Sequence, residues 1–350
     1  MTTIKKIGIA GEGKMGTNLF YYLLNDSFTL RWKCSSAADI EKIKTTFLKR
    51  INRSRDAGIY PTITFEKLIT ETTISSENEI LADCDLIIEA LPEEIDIKRK
   101  FFETLDAIVD EACIISTNSS SINPTRLIPS PRRSSLFLGL HFFYPVSLKN
   151  IVEIIVPNSF FNPALTAVTN FLDMVNRNYI ILDEGNSFIL NRIFLDFQNE
   201  SFLMVHKGHI SMEQLDALVR KYFFPIGVFE LFDSVGIDTM LTSIKNYIEN
   251  YPHKDYYSPL VNHLETMVQK GILGQKSCHG FYQYPKGEVG YRTIDFDPNS
   301  DPEGQLAEHL RSIYLSTVRR FTSQSNLSIP EMNDALKEYF CIKKGPFEFE

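Results

Sequence analysis

Residues 4–16 constrain this chain more than any other feature. Ile4 to Ala10 reads as a buried strand, and Gly11-Glu12-Gly13-Lys14-Met15-Gly16 follows it at once. In a GxGxxG turn the first glycine permits the tight bend, the second lets backbone approach a pyrophosphate, and the third allows close packing of helix on strand. The run Thr17 to Leu24 can then form a helix whose N-terminal amides face the anion. A chain that starts this way is expected to build a doubly wound, Rossmann-type α/β domain that binds a dinucleotide.

The second strand, Phe28 to Lys33, should end in an Asp or Glu that accepts hydrogen bonds from the adenosine ribose. Cys34 stands there instead, followed by Ser35 and Ser36. Arg31, Lys33 or Ser35 could in its place receive a 2′-phosphate, although only alternate strand residues share a face. NAD is placed ahead of NADP. Cys34 itself reads as a small buried thiol.

The 36 Lys and Arg against 44 Asp and Glu give a net charge of −8, which argues against a general nucleic-acid or anionic-membrane binder. It leaves room for an anionic small ligand at a local basic patch. Five widely spaced cysteines without a CxxC read as free thiols rather than a disulfide framework or a metal site. The start runs straight into the first strand, and no apolar run reaches the roughly 18 residues of a membrane span. The expected location is the cytoplasm.

Further along, residues 37–57 read as a helix with Ile40, Ile43, Phe47, Leu48 and Ile51 as apolar positions. Its Lys42, Lys44, Lys49, Arg50, Arg53 and Arg55 form a basic group suited to phosphates. A short strand within Leu81 to Ala90 precedes a helix carrying Ile97, Phe101, Phe102, Leu105 and Ile108. Cys113 to Ser116 makes another strand and opens into Thr117-Asn118-Ser119-Ser120-Ser121, beyond the strand end where open α/β sheets bind ligands. Leu136 to Leu140 ends in His141-Phe-Phe-Tyr-Pro145. Glu153 is a lone acid in the apolar strand pattern Ile151 to Val156. A buried carboxylate needs a partner, and a histidine at a strand end is a candidate.

Taken in order, GIAGEGKMG (8–16), LADCDLIIEALPEEIDIK (81–98), STNSSSI (116–122), GLHFFYP (139–145), FILNR (188–192), FPIGVFELFDSVGIDT (224–239) and GILGQKSCHGFYQYP (271–285) resemble the L-3-hydroxyacyl-CoA dehydrogenase family. The resemblance implies a Rossmann-type domain followed by an all-helical domain, and reversible oxidation of L-3-hydroxyacyl-CoA to 3-ketoacyl-CoA. It implies His141 as the catalytic base, Glu153 as its partner, and Ser120 and Asn191 as substrate-positioning groups. Glu93 and Lys98 match residues that line the cofactor region. With Gly11, Gly13, Lys14, Met15, Gly16, Cys34 and Asn118 they make up the expected cofactor contacts. The expected small-molecule partner is an acyl-CoA.

Three departures stand out: Cys34, Tyr144 in place of a small amide, and Asn186-Ser187 before Phe188 in place of Pro-Gly. The expected division is 1–185 for the dinucleotide domain, 186–297 for the helical domain and 298–350 for a helical extension. That extension carries a partial repeat: Ser211 to Phe223 resembles Ser328 to Phe340. Each copy is followed by a glycine and a Phe-Glu pair, Gly227 with Phe229-Glu230 and Gly345 with Phe347-Glu348. Such an extension competes with the homodimer that the resemblance implies. An NADP-preferring dehydrogenase of another hydroxyacyl or hydroxy-acid substrate, or a non-catalytic nucleotide- or acyl-CoA-binding regulator, is the alternative reading.

Overall fold

The structure, a computed structural model, describes all residues except 1–2, 25–26, 60–61, 250, 252, 286–293, 302–303 and 349–350. Met1 and Thr2 of the expected strand lead-in, and Pro302 and Glu303 of the Pro298 to Gly304 stretch, lie outside the described residues. The chain divides into two compact units, 1–187 and 188–350.

The first unit runs β1 (Lys6–Ala10), α1 (Lys14–Leu23), β2 (Thr29–Lys33), α2 (Ile40–Asp56), α3 (Thr62–Glu71), β3 (Thr73–Ser75), β4 (Leu86–Glu89), α4 (Ile95–Asp106), β5 (Ile114–Thr117), β6 (Phe137–Phe142), β7 (Ile151–Val156), α5 (Asn162–Met174) and β8 (Asn178–Asp183). These strands form one sheet in the order β3-β2-β1-β4-β5-β6-β7-β8. All neighbours are parallel except β6 and β7. The order reverses between β1 and β4, which opens a crevice at the carboxyl ends of those strands.

Helices cover both faces, so the central strands are apolar on both sides instead of alternating. Ile7, Ile9, Phe20, Trp32, Leu138 and Phe171 fill one layer, while Ile87, Phe102, Leu105, Ile115 and Phe137 fill the other. Two positions expected to face this core do not. Leu48 on α2 and Ile97 on α4 are each 41% exposed. On α4 the inward position is taken by Lys98, one residue on, because its ammonium has buried acids to meet. The short β3 and the edge strand β8 were not expected from the pattern. In β8 only Ile180 and Leu182 are buried, with Ile181 exposed between them.

The second unit is helical: α6 (Ile189–His206), α7 (Met212–Tyr222), α8 (Val228–Val235), α9 (Ile237–Ile248), α10 (Ser258–Gln269), α11 (Gln305–Gln324) and α12 (Ile329–Phe340). Most of α6 is buried, as a helix surrounded by others must be. Phe340 of α12 stacks on Phe224 at 3.9 Å between ring centroids, and Tyr314 of α11 is fully buried.

The two segments alike in sequence are also built alike. The Ser211 and Ser328 hydroxyls cap α7 and α12 by accepting the Gln214 and Glu331 N–H groups. Asp216 accepts the Phe229 N–H at 3.0 Å, and Asn333 accepts the Phe347 N–H at 3.3 Å. A Cβ on Gly227 would lie 2.3 Å from the Asp216 side chain, and one on Gly345 would lie 2.1 Å from that of Asn333. Both glycines are therefore required by close approach.

Candidate active site

The GxGxxG turn lies at the reversal of strand order, and its glycines play three distinct parts. Gly11 has φ +118°, and a Cβ there would lie 2.4 Å from the Ala90 carbonyl oxygen. A Cβ on Gly16 would meet the Gly11 carbonyl at 2.1 Å, which explains how α1 packs so close to β1. Nothing stands within 4 Å of a Cβ on Gly13. Gly13 is exposed at the start of α1, with no side chain capping the helix, and Lys14 beside it is exposed too. The bare amides and open backbone fit a pyrophosphate.

The Cys34 side chain is fully buried in the core, and burial pushes its thiol up to about 11, with the Glu12 carboxylate adding to the effect. At that value it is an unreactive apolar group. The Arg31 guanidinium reaches the Glu71 carbonyl at 3.1 Å and Asp83 at 3.7 Å, and Lys33 sits 5.8 Å from the Phe101 ring centroid. Ser35 meets Glu12: its N–H donates to one carboxylate oxygen at 2.9 Å and its hydroxyl donates to the other.

Beyond β4 and β5 a buried polar network positions the serine segment. The Lys98 ammonium lies 2.6 Å from Glu89 and 3.4 Å from Glu93. Glu89 also accepts the Leu91 N–H and the Thr117 hydroxyl, each at 2.6 Å. One oxygen of Glu93 accepts the Ser119 and Ser121 hydroxyls and the Ser120 and Ser121 N–H groups. Burial works to raise the Glu93 carboxyl, but Lys98 and the serine donors outweigh it and hold it below its ordinary value. Glu93 and Lys98 are thus brought together as the frame that fixes Ser120. Asn118 links the same segment to β6, its Oδ1 accepting the Phe142 N–H at 2.8 Å.

His141 and Glu153 are register partners across the antiparallel pair β6–β7. Directly opposed residues put their side chains on the same face of a sheet. The His141 Nδ1 accordingly lies 2.7 Å from the Glu153 Oε2, with the carboxylate fully buried and the imidazole nearly so. A carboxylate only accepts, so the neutral ring carries its proton on Nδ1 and its lone pair on Nε2. That is the tautomer of a general base. Phe143 packs against the ring at 4.2 Å between centroids, and Tyr144 is 52% exposed.

In the second unit, the Asn191 amide on α6 is held at both ends. Its Nδ2 donates to the Tyr247 hydroxyl at 2.9 Å, and the Tyr339 hydroxyl donates to its Oδ1 at 2.8 Å. At the departure before Phe188, the Asn186 amide binds Asp183 and the Ser187 hydroxyl donates to the Glu184 carbonyl. Phe188 takes a left-handed φ of +59°. Of the α2 cations, Lys44 pairs with Glu41, Arg55 pairs with Asp56, and Arg50 lies over the Tyr21 ring. Among the described residues no group of three or more His, Cys, Asp or Glu could hold a metal ion, and no helix is long and apolar enough to cross a membrane.

The sequence pattern did not single out Glu12, Glu89, Tyr247 or Tyr339. Glu89 carries a recognisable signal, a lone acid ending an apolar strand as Glu153 interrupts one. The tyrosines carry none, because their partner is distant along the chain.

The family model described as 3-hydroxyacyl-CoA dehydrogenase, NAD binding domain, matches residues 6–185. The one described as 3-hydroxyacyl-CoA dehydrogenase, C-terminal domain, matches 188–284. A 3-hydroxybutyryl-CoA dehydrogenase of Bradyrhizobium diazoefficiens is 30% identical over 283 residues, spanning 80% of this chain and 96% of its own. The crystal structure of an (S)-3-hydroxybutyryl-CoA dehydrogenase from Ralstonia eutropha has a TM-score of 0.72 at 28% identity, over 81% of this chain and 100% of the other. That of a 3-hydroxybutyryl-CoA dehydrogenase from Escherichia coli has a TM-score of 0.81 over 99% of this chain and 90% of the other. Its 17% identity makes that a likeness of fold alone, and the likeness extends through α11 and α12.

Proposed function

The chain belongs to the 3-hydroxyacyl-CoA dehydrogenase family, and from that premise we propose that His141 is the general base and acid of an NAD-preferring oxidation of short- to medium-chain L-3-hydroxyacyl-CoA. The chain is an oxidoreductase acting on acyl-CoA substrates. The observation that carries the assignment of His141 is its cross-strand pairing with a buried carboxylate.

In the oxidation, Nε2 of His141 takes the proton from the C3 hydroxyl as hydride leaves C3. A nicotinamide held at the glycine turn would supply the hydride acceptor. Glu153 keeps the ring in the productive tautomer and stabilises the imidazolium that forms. In the reverse direction the imidazolium returns the proton to the ketone oxygen. Ser120, fixed through its N–H by Glu93, donates its hydroxyl to the substrate oxygen. Asn191, in the second unit, carries the amide that positions substrate in the family reading. The turn at Gly11, Gly13 and Gly16 and the N-terminal amides of α1 would hold the pyrophosphate.

NAD preference is supported by the engagement of Arg31 with Asp83 and Glu71 and of Ser35 with a carboxylate. Neither is then presented to a 2′-phosphate. Acetoacetyl-CoA should oxidise NADH faster than NADPH in the presence of the full chain. Tight binding of nucleotide and acyl-CoA with no turnover in either direction, across short and medium acyl chains, would contradict the reading.

A further inference from the structure

We infer that Glu12, supplied by the glycine turn, is the carboxylate that holds the adenosine ribose and rejects a 2′-phosphate, taking over the part that an acid at the end of β2 would play. The inference rests on the NAD reading above and identifies the residue responsible for it.

The end of β2 cannot supply the acid. Cys34 occupies the position, and its side chain is fully buried in the hydrophobic core. A carboxylate there would face apolar neighbours and be buried without a partner. The turn delivers one instead. β1 and β2 run parallel with Ala10 opposite Lys33, and the Gly11 N–H continues the ladder by donating to the Lys33 carbonyl at 2.9 Å. Glu12 is therefore delivered beside residues 34 and 35, at the carboxyl ends of both strands.

Ser35 then fixes the carboxylate. Its N–H and its hydroxyl each take one of the two oxygens. A carboxylate has about four lone-pair sites, so after the two Ser35 donors and the Glu12 N–H it retains acceptor capacity for a ribose hydroxyl. The group stays ionised: partial burial works to raise it, but the Ser35 donors and the nearby Lys33 charge bring it below its ordinary value. A fixed anion at this place attracts a diol and repels a phosphate dianion.

The test uses ADP-ribose and its 2′-phosphate, which carry the discriminating group and no reactive nicotinamide. Dissociation constants are measured by calorimetry on the full chain. Emission from Trp32 provides a second readout, because it is the sole tryptophan and its indole N–H donates to the Gly11 carbonyl at 2.8 Å. The wild type should bind ADP-ribose more tightly than the 2′-phosphate. Glu12→Gln keeps the shape and an acceptor for Ser35; it should narrow that ratio by about tenfold or more, as expected for loss of one close charge. Glu12→Asp, which keeps the charge, should retain most of it. If Glu12→Gln binds both ligands with the wild-type ratio, the inference about Glu12 is wrong while the NAD reading stands. If the wild type itself favours the 2′-phosphate or binds neither ligand, the NAD reading fails and the inference fails with it. Should Glu12→Gln not fold, Glu12→Ser reads the same ratio.

Discussion

The Tyr339 hydroxyl, near the C-terminal end of α12, donates to the Oδ1 of Asn191 on α6. A residue from the tail beyond both family matches therefore sets the amide plane of Asn191, proposed above to position substrate. With Tyr247 holding the other end, Asn191 keeps one orientation. Replacing Tyr339 with Phe should lower kcat/KM about fivefold, as expected for roughly 1 kcal/mol from one hydrogen bond. The loss should vanish in an Asn191→Ala background, and thermal stability should change little. An equal loss in both backgrounds would show that Tyr339 acts elsewhere.

Lys98 and Glu89 form a buried ion pair at the foot of the serine segment, with 1% and 0% of their side chains exposed. Lys98→Met leaves Glu89 without its cation and should cost about 3–5 kcal/mol of stability, the penalty for breaking a buried pair. Lys98→Met with Glu89→Gln together should cost less than Lys98→Met alone. Denaturant melts of the wild type and the two variants check the order.

Asp216 gives the second unit a pH dependence. Burial pushes its carboxyl up to about 7 from an ordinary 3.8, with the Glu230 charge adding and backbone donors opposing. An acid raised in the folded state binds more protons there than in the unfolded chain. Its contribution to stability is full below about pH 4 and is lost as pH rises to about 7. The Tm of Asp216→Asn should fall less than that of the wild type over this interval. Asn333, which already holds an amide at the equivalent place, shows that the motif accommodates one.

How far the molecule could be read from its sequence depended on whether its signals are local. The strand, turn and helix at 4–24 and the apolar strands around His141 and Glu153 follow from patterns a few residues long, and the structure has them. β3 is not legible because three residues carry no periodicity, and β8 because its exposed Ile181 is as apolar as the buried Ile180 and Leu182 and erases the alternation. Ile97 reads as inward by its apolarity, whereas Lys98 goes inward to meet Glu89 and Glu93. The absent acid at Cys34 was legible; the carboxylate at Glu12 was not, because its relation to Ser35 exists only once β1 and β2 are paired. The repeat was legible in the tail, but the reach of Tyr339 to Asn191 was not.

His141, oriented by Glu153, is proposed to move the proton of the reaction. The most direct measurement is the steady-state rate of acetoacetyl-CoA reduction by NADH in His141→Ala, with nucleotide binding followed in parallel through Trp32. Removing a general acid and base should lower kcat by about 10²–10⁴ while leaving the nucleotide dissociation constant unchanged. Turnover by His141→Ala at the wild-type rate would contradict the account.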